Sequence, residues 1–326
     1  MTPRPSASAL AVVGTLLASQ PSLAGDDAAI GRALFERAWV PAPSATRAND
    51  GLGPHFDARA CAACHPGGDR PALGAMRSGE MPRGMIVRLA RADGSPDPVH
   101  GTLLQGEAVT GLAPEARLRL VVEPGMPRRL RVEVSELGDG PLATDTTVSL
   151  RLAPSLLGAG AIEAVSEAAI RARADPDDRD GDGISGRLSE IVDRAGRVRV
   201  GRWGFLATGP DLVDQTAAAF SGDMGLSTKW RPDPHGDCTP VQTGCRSAPA
   251  GSPDSAGEHE IDEAIVTRIV AFLARLERPR GDVEAGPPPS PRGAALFAAI
   301  GCAACHAPLE GAGRTIHSDL LLHDMG

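Results

Sequence analysis

The sequence predicts a mainly α chain of two related helical units, with a small antiparallel β subdomain inserted in the first. Three observations carry this reading. The pentapeptide Cys-Ala-Ala-Cys-His occurs twice, ending at His65 and at His306. Each copy follows a Gly-x-x-Leu-Phe helical pattern, begun by Gly31 and by Gly293. Between the copies, residues 84–92, 116–122, 129–136 and 146–152 alternate apolar and polar side chains, as half-buried strands do.

The chain has 326 residues, enough for two or three structural units with a real core. Its net charge of −8 argues against nucleic acid as a partner and suits small or basic ones. Residues 1–24 read as a signal peptide. Arg4 supplies the positive charge, residues 9–18 the short apolar run, and Ser22-Leu23-Ala24 the small-residue cleavage pattern. The alternative is an uncleaved anchor, although the run is too short to span a bilayer. No later stretch is long and apolar enough to do so, so no stable membrane span is expected. Cleavage would leave Gly25, not a cysteine, at the new terminus, which argues against a lipoprotein. The expected location is the periplasm, where disulfides are allowed.

The spacing of the repeated pentapeptide has a chemical reason. Two thiols add across the two vinyl groups of one porphyrin edge, so they must lie about one helical turn apart. The histidine that follows then sits under the iron as its proximal ligand. Two thioredoxin-like pairs or one zinc site would explain the cysteines but not a histidine after both pairs. Cys61, Cys64, Cys302 and Cys305 are therefore expected as thioethers, and His65 and His306 as iron ligands. Two covalently bound haem c groups follow. A Gly-x-x-Leu-Phe helix leading into this motif opens many cytochrome c domains, so the two units are read as cytochrome c-like. In the first unit, residues 39–59 form a Pro- and Gly-rich insertion with no counterpart in the second. It is either a cover for one haem face or a surface excursion.

The first unit is expected to run from 25 to 279, with the β insertion at about 84–152. Helices are predicted over 26–40, 160–174, 211–220 and 258–277. Asp211 is the candidate cap of the third, and Ile261, Ile265, Ile269, Phe272 and Leu276 form the apolar face of the fourth. In the acidic loop 175–186, Asp178, Asp180 and Asp182 have the spacing of the first three ligands of a calcium loop. Position 12 of that pattern is Ser189, so a solvated acidic turn competes with a Ca2+ site. Cys238 and Cys245 lack a following histidine and are expected to pair as a disulfide, with a zinc site using His235 as the alternative. Residues 280–291 form a Pro-rich linker. The second unit, 292–326, has only twenty residues after His306 and is read as incomplete.

Seven stretches in order resemble the bacterial di-haem oxidoreductases of peroxidase type, also called thiol oxidoreductases. They are DGLGPHFDARACAACHPGG, LLGAGAIEAV, ADPDDRDGDGISGR, GRWGF, AFSGDMG, GCAACH and TIHSDLLLHDMG. The resemblance covers about Gly31 to Gly326. That family is similar to di-haem cytochrome c peroxidases, and its members continue past the final His-Asp-Met-Gly. The resemblance implies that one haem relays electrons while the other reduces peroxide or a similar small oxidant. The donor would be a small redox protein or a thiol. Met224 and Met325, each in an Asp-Met-Gly turn, are candidate sixth ligands, with core packing as the alternative and His55, His317 and His323 as rivals. Glu163, in an apolar run, is the candidate distal acid/base, against a surface helix-face glutamate. Trp203 is the candidate inter-haem relay, against simple core packing. A non-catalytic di-haem electron-transfer protein is the competing function. A haem-binding partner that docks through the β insertion is a third.

Overall fold

The computed structural model describes residues 23–72, 76–125, 129–193, 195–251, 259–277 and 290–325. Residues 1–22 of the expected signal peptide and the expected linker up to residue 289 lie outside them. In chain order the first elements are α1 (Leu23–Glu36), β1 (His55–Phe56) and α2 (Cys61–Cys64). The strands β2 (Gly79–Glu80), β3 (Met85–Ala90), β4 (Glu107–Ala108), β5 (Arg117–Glu123), β6 (Arg129–Ser135) and β7 (Thr147–Leu152) follow. Next come α3 (Ala159–Glu163), α4 (Glu167–Arg171), β8 (Glu190–Val192), β9 (Val198–Val200) and α5 (Leu212–Met224). The chain continues with α6 (Thr243–Arg246), α7 (Glu263–Leu273), α8 (Pro291–Ala299), α9 (Cys302–Cys305), β10 (Pro308–Gly311) and β11 (Arg314–His317).

The mainly α expectation is overturned. Helix accounts for 26% and strand for 22%, the latter in several small antiparallel sheets. Two effects account for the difference. Predicted helices are cut short by side chains that cap from within: Ser166 accepts from the Ala169 amide and divides 160–174 into α3 and α4. Asp262 accepts from the Ile265 amide, so α7 begins later than the apolar pattern suggests. Secondly, short strand pairs occupy stretches with too few residues to show alternation, namely β8–β9 and β10–β11. Asp211 does cap α5, accepting from the Asp214 amide at 2.9 Å.

The first core lies where α1 crosses α7. Leu34, Phe35, Phe220, Met224, Val266 and Ile269 are buried there. Gly31 sets the crossing, because a Cβ at that position would overlap the Arg268 carbonyl oxygen. The insertion 39–59 is not a surface excursion. Trp39, Leu52 and Phe56 are each at most 2% exposed and belong to this core, and the Trp39 amide donates to the Arg59 carbonyl at 2.7 Å, closing the neck.

The four alternating stretches are the strands β3, β5, β6 and β7. β5 pairs with β6 and β2, and β3 pairs with β7. Val87, Leu89, Leu104 and Ala116 form their buried core. Asp97 pins the loops around it, accepting from the amides of Val99, His100 and Ala143 and from the Thr146 hydroxyl. A third core of Val165, Ile170, Val200 and Leu309 joins α3, α4 and β9 to the β10–β11 hairpin. Among the described residues, no helix is long and apolar enough to cross a membrane.

Candidate haem sites

The first Cys-x-x-C-His turn is held from three sides. Cys61 and Ala62 pack against the first core. The turn after it, Pro66–Gly68, rests on Leu276, and the Gly68 carbonyl accepts from the Leu156 amide. His65 Nδ1 lies 2.9 Å from the Pro154 carbonyl, just beyond β7. A carbonyl only accepts, so Nδ1 carries the proton and Nε2 keeps its lone pair for a metal. Burial pulls the His65 pKa down against that hydrogen bond, which favours the neutral ring a metal needs. An open cleft of about 530 Å³ lies beside this histidine's carbonyl partner, lined by Asp69, Arg70, Leu152, Ala153, Pro154 and Ser155.

The second motif repeats this arrangement with different support. His306 Nδ1 lies 3.0 Å from the His317 carbonyl, so its Nε2 is likewise free. The carbonyl comes from β11, opposite Pro308 in the hairpin. The hairpin is docked on α3 closely enough that a Cβ on Gly311 would overlap the Ala161 carbonyl. Arg173 also donates to the Pro308 carbonyl at 2.9 Å. The helix leading into the motif is bare: on α8, Leu296 is 53% exposed, Phe297 40% and Ile300, just after it, 72%. The Phe297 ring stands 6.0 Å from that of His306. Phe297 thus sets an apolar ring beside the free imidazole, as a site for a large flat apolar group requires.

Glu163 and Trp203, far apart in the chain, meet. Trp203 Nε1 donates to Glu163 Oε2 at 2.8 Å, and the Leu212 amide donates to the same oxygen at 3.1 Å. Oε1 has no hydrogen-bond partner among the described residues. Glu163 closes α3, which touches α7's end on one side and the β10–β11 hairpin on the other. Glu163 thus ends the helix that bridges α7 and the hairpin, while Trp203 packs against the first core.

A family model for "di-haem oxidoreductase, putative peroxidase" matches residues 131–326. The chain belongs to this family. No curated protein and no solved structure matches it. Haem is thus the cofactor of this di-haem oxidoreductase, and both motif histidines present a nitrogen suited to it.

The other candidates separate clearly. Met224 is 3% exposed and packed in the first core that also receives Cys61. Met325 is 86% exposed. His323 has both ring nitrogens engaged, Nδ1 with the Ser185 carbonyl and Nε2 with Asp319 at 2.8 Å. His317 offers its backbone, not its ring, to the second motif. The carboxylates of Asp178, Asp180 and Asp182 converge within 4.8 Å of one another, while Asp178 and Asp182 also accept loop amides. A disulfide joins Cys238 and Cys245, with Cα atoms 6.1 Å apart. His235 is turned to the Ala248 carbonyl, and the histidine beside the two sulfurs is His55.

Several groups escaped sequence reasoning. Glu115, 3% exposed, accepts from the Gln105 amide and from Gln242 Nε2. His55 and His100 face it, with Nδ1 at 3.9 and 3.6 Å from Oε1. Beside the first motif, burial pushes the Asp223 carboxyl up to about 6 and also raises the Asp57 carboxyl well above the ordinary range. His55, Asp57 and Asp223 stand in the quoted stretches and Glu115 and His100 do not, and distant elements bring them together. The two carbonyl partners of the motif histidines carry no side-chain signal at all.

Proposed function

We propose that this protein is a periplasmic di-haem c-type oxidoreductase that reduces hydrogen peroxide or a similar small oxidant. The observation that supports it most is the matched pair of motif histidines, each with Nδ1 bound to a backbone carbonyl and Nε2 free. In this reading Cys61, Cys64, Cys302 and Cys305 are thioethers, and His65 and His306 are the proximal ligands. The bound haems supply the electron transfer and the oxygen–oxygen bond cleavage.

The protein's own residues handle protons and position. Glu163 holds its Oε2 against Trp203 and the Leu212 amide, which orients the carboxylate and leaves Oε1 to take a proton from peroxide and return it to the departing oxygen. The same bond fixes the indole, which would relay electrons between the two haems. Reduction of peroxide consumes two electrons and two protons and yields two waters, with electrons from a small redox protein or a thiol. Met224, enclosed in the core that Cys61 packs against, would help hold the first haem. Asp178, Asp180 and Asp182 hold Ca2+ beside the second unit, since their oxygens already converge on one point.

The test is optical and EPR spectroscopy of the as-isolated and half-reduced protein. A high-spin haem with peroxide turnover is expected. Two low-spin haems inert to peroxide would leave the electron carrier instead. Glu163→Gln is expected to lower peroxide turnover by about 10²- to 10⁴-fold with the haem spectra unchanged. A chelator should alter the spectra if the acidic loop holds Ca2+, and indifference would make it a solvated turn.

A further inference from the structure

A cluster outside the haem motifs holds the elements of a metal site. The sulfur atoms of Cys238 and Cys245 and a ring nitrogen of His55 all lie within 4.8 Å of one another. His55 is 3% exposed and Cys245 is 1% exposed. The His55 Nε2 faces the Ala113 carbonyl at 3.0 Å, so Nε2 carries the proton and Nδ1 keeps a lone pair. That Nδ1 is buried and has no hydrogen-bond partner among the described residues. A buried acceptor without a partner costs free energy. Its nearest charged neighbour, Glu115, is no remedy, because an ionised carboxylate only accepts, and both its oxygens already take N–H groups. The lone pair calls for a Lewis acid or a proton.

We propose that Cys238, Cys245 and His55 form a redox-gated site for a borderline-soft divalent cation, zinc, which binds when the disulfide is reduced. Two thiolates and one imidazole are the donor set that tetrahedral zinc takes, with water or a carboxylate as the fourth ligand. The reductant is a dithiol. One of its thiolates attacks Cys238 Sγ, the more exposed sulfur, the disulfide breaks, and Cys245 leaves as a thiolate beside His55. The second thiol of the reductant resolves the mixed disulfide and frees Cys238. The two electrons come from the dithiol, which closes to its own disulfide, and Zn2+ then replaces the two thiol protons. The disulfide form of the same dithiol couple takes the two electrons back by the reverse exchange, re-forming the Cys238–Cys245 bond and releasing the ion.

The position gives the switch a consequence. His55 lies on β1, a few residues before Cys61. The cysteine loop packs on the C-terminal end of α5, where Gly236 abuts Ser221 and Gly225. Zinc or disulfide would therefore clamp the strand that enters the first motif, in two chemically distinct ways.

The experiment uses the haem-loaded full chain. It is reduced with a phosphine, given one equivalent of zinc, and freed of unbound metal. Metal content and zinc-edge X-ray absorption are then measured. About one retained zinc per chain is expected, with sulfur at about 2.3 Å and imidazole in its shell. Protein kept oxidised should retain less than about a tenth of that. His55→Ala and the double variant Cys238→Ser/Cys245→Ser should each bind zinc at least about tenfold more weakly, with the haem absorption unchanged as evidence of folding. Should a variant not fold, the wild-type absorption spectrum decides alone. No zinc in the reduced protein, a shell without sulfur, or full retention by the folded double variant would each overturn the proposal.

Discussion

Gly31 and Gly293 open the same Gly-x-x-Leu-Phe pattern, yet the two helices live in different surroundings. On α1 the glycine lets α7 approach until backbone meets backbone, and Leu34 and Phe35 are 5% and 3% exposed. On α8, among the described residues, only the capping Ser290 hydroxyl is within reach of a Cβ at Gly293, and Leu296 and Phe297 stand in the open. The motifs that follow inherit the difference. His65 is half-buried beneath a core, whereas His306 is exposed and held mainly by a hairpin. The same local sequence thus specifies the same helix and the same histidine hydrogen bond. It does not specify how deeply either is buried, because burial is a property of what packs against it.

Reactivity should show the largest contrast. Burial pushes the thiols of Cys61 and Cys64 up to about 12 and about 11, so few thiolates form there near neutral pH. In haem-free chain at pH 8, alkylation of Cys61 should be slower than that of Cys302 by at least about 10²-fold, followed by peptide mass spectrometry. Equal rates would mean that the first motif is not enclosed before haem arrives.

The glycines offer a second test. Gly31→Ala should destabilise by about 3 kcal/mol, since a helix pair must separate to admit the methyl group. Gly293→Ala should be neutral or stabilising by about 0.5 kcal/mol. Urea melts for the first, and amide exchange along α8 for the second, would show this; matching losses would mean that both helices have partners.

A smaller effect concerns the β subdomain, which the first unit has and the second lacks. Burial alone would raise the Asp97 carboxyl, but the Thr146 hydroxyl and the amides of Ala143, His100 and Val99 outweigh it and hold it down at about 2. A depressed folded pKa adds stability above the unfolded value near 3.9, and that stability is lost as pH falls through about 2. Asp97→Asn should cost about 2 kcal/mol at neutral pH. It should also flatten the acid limb between about pH 4 and 2 in thermal melts, because the variant has no proton to take up there. An unchanged acid limb would remove Asp97 as the anchor of these loops.

Local signals were legible wherever a residue and its partner lie close in sequence. The strands β3, β5, β6 and β7 show in alternation, the start of α5 in Asp211, and the haem motifs in their spacing. The fold class is not legible because β8–β9 and β10–β11 are too short for periodicity, and because Ser166 and Asp262 restart or delay helices whose apolar pattern runs on. The insertion 39–59 looked like surface from its prolines and glycines, but its three large apolar side chains find a core between α1 and α5. Glu163 and Trp203 were each proposed on separate grounds, and nothing in the chain foretold that they share a hydrogen bond.

By itself, then, the sequence determined the chemistry that needs only a few consecutive residues: two thiols and a histidine at the spacing of a helical turn, twice, and two further cysteines to join each other. The tertiary structure decided which carbonyl orients each histidine, that His55 rather than His235 stands beside the second cysteine pair, and that one Gly-x-x-Leu-Phe helix is buried while its twin is bare. Those are relations between residues distant in the chain, set by close packing of whole elements, and no local pattern encodes them.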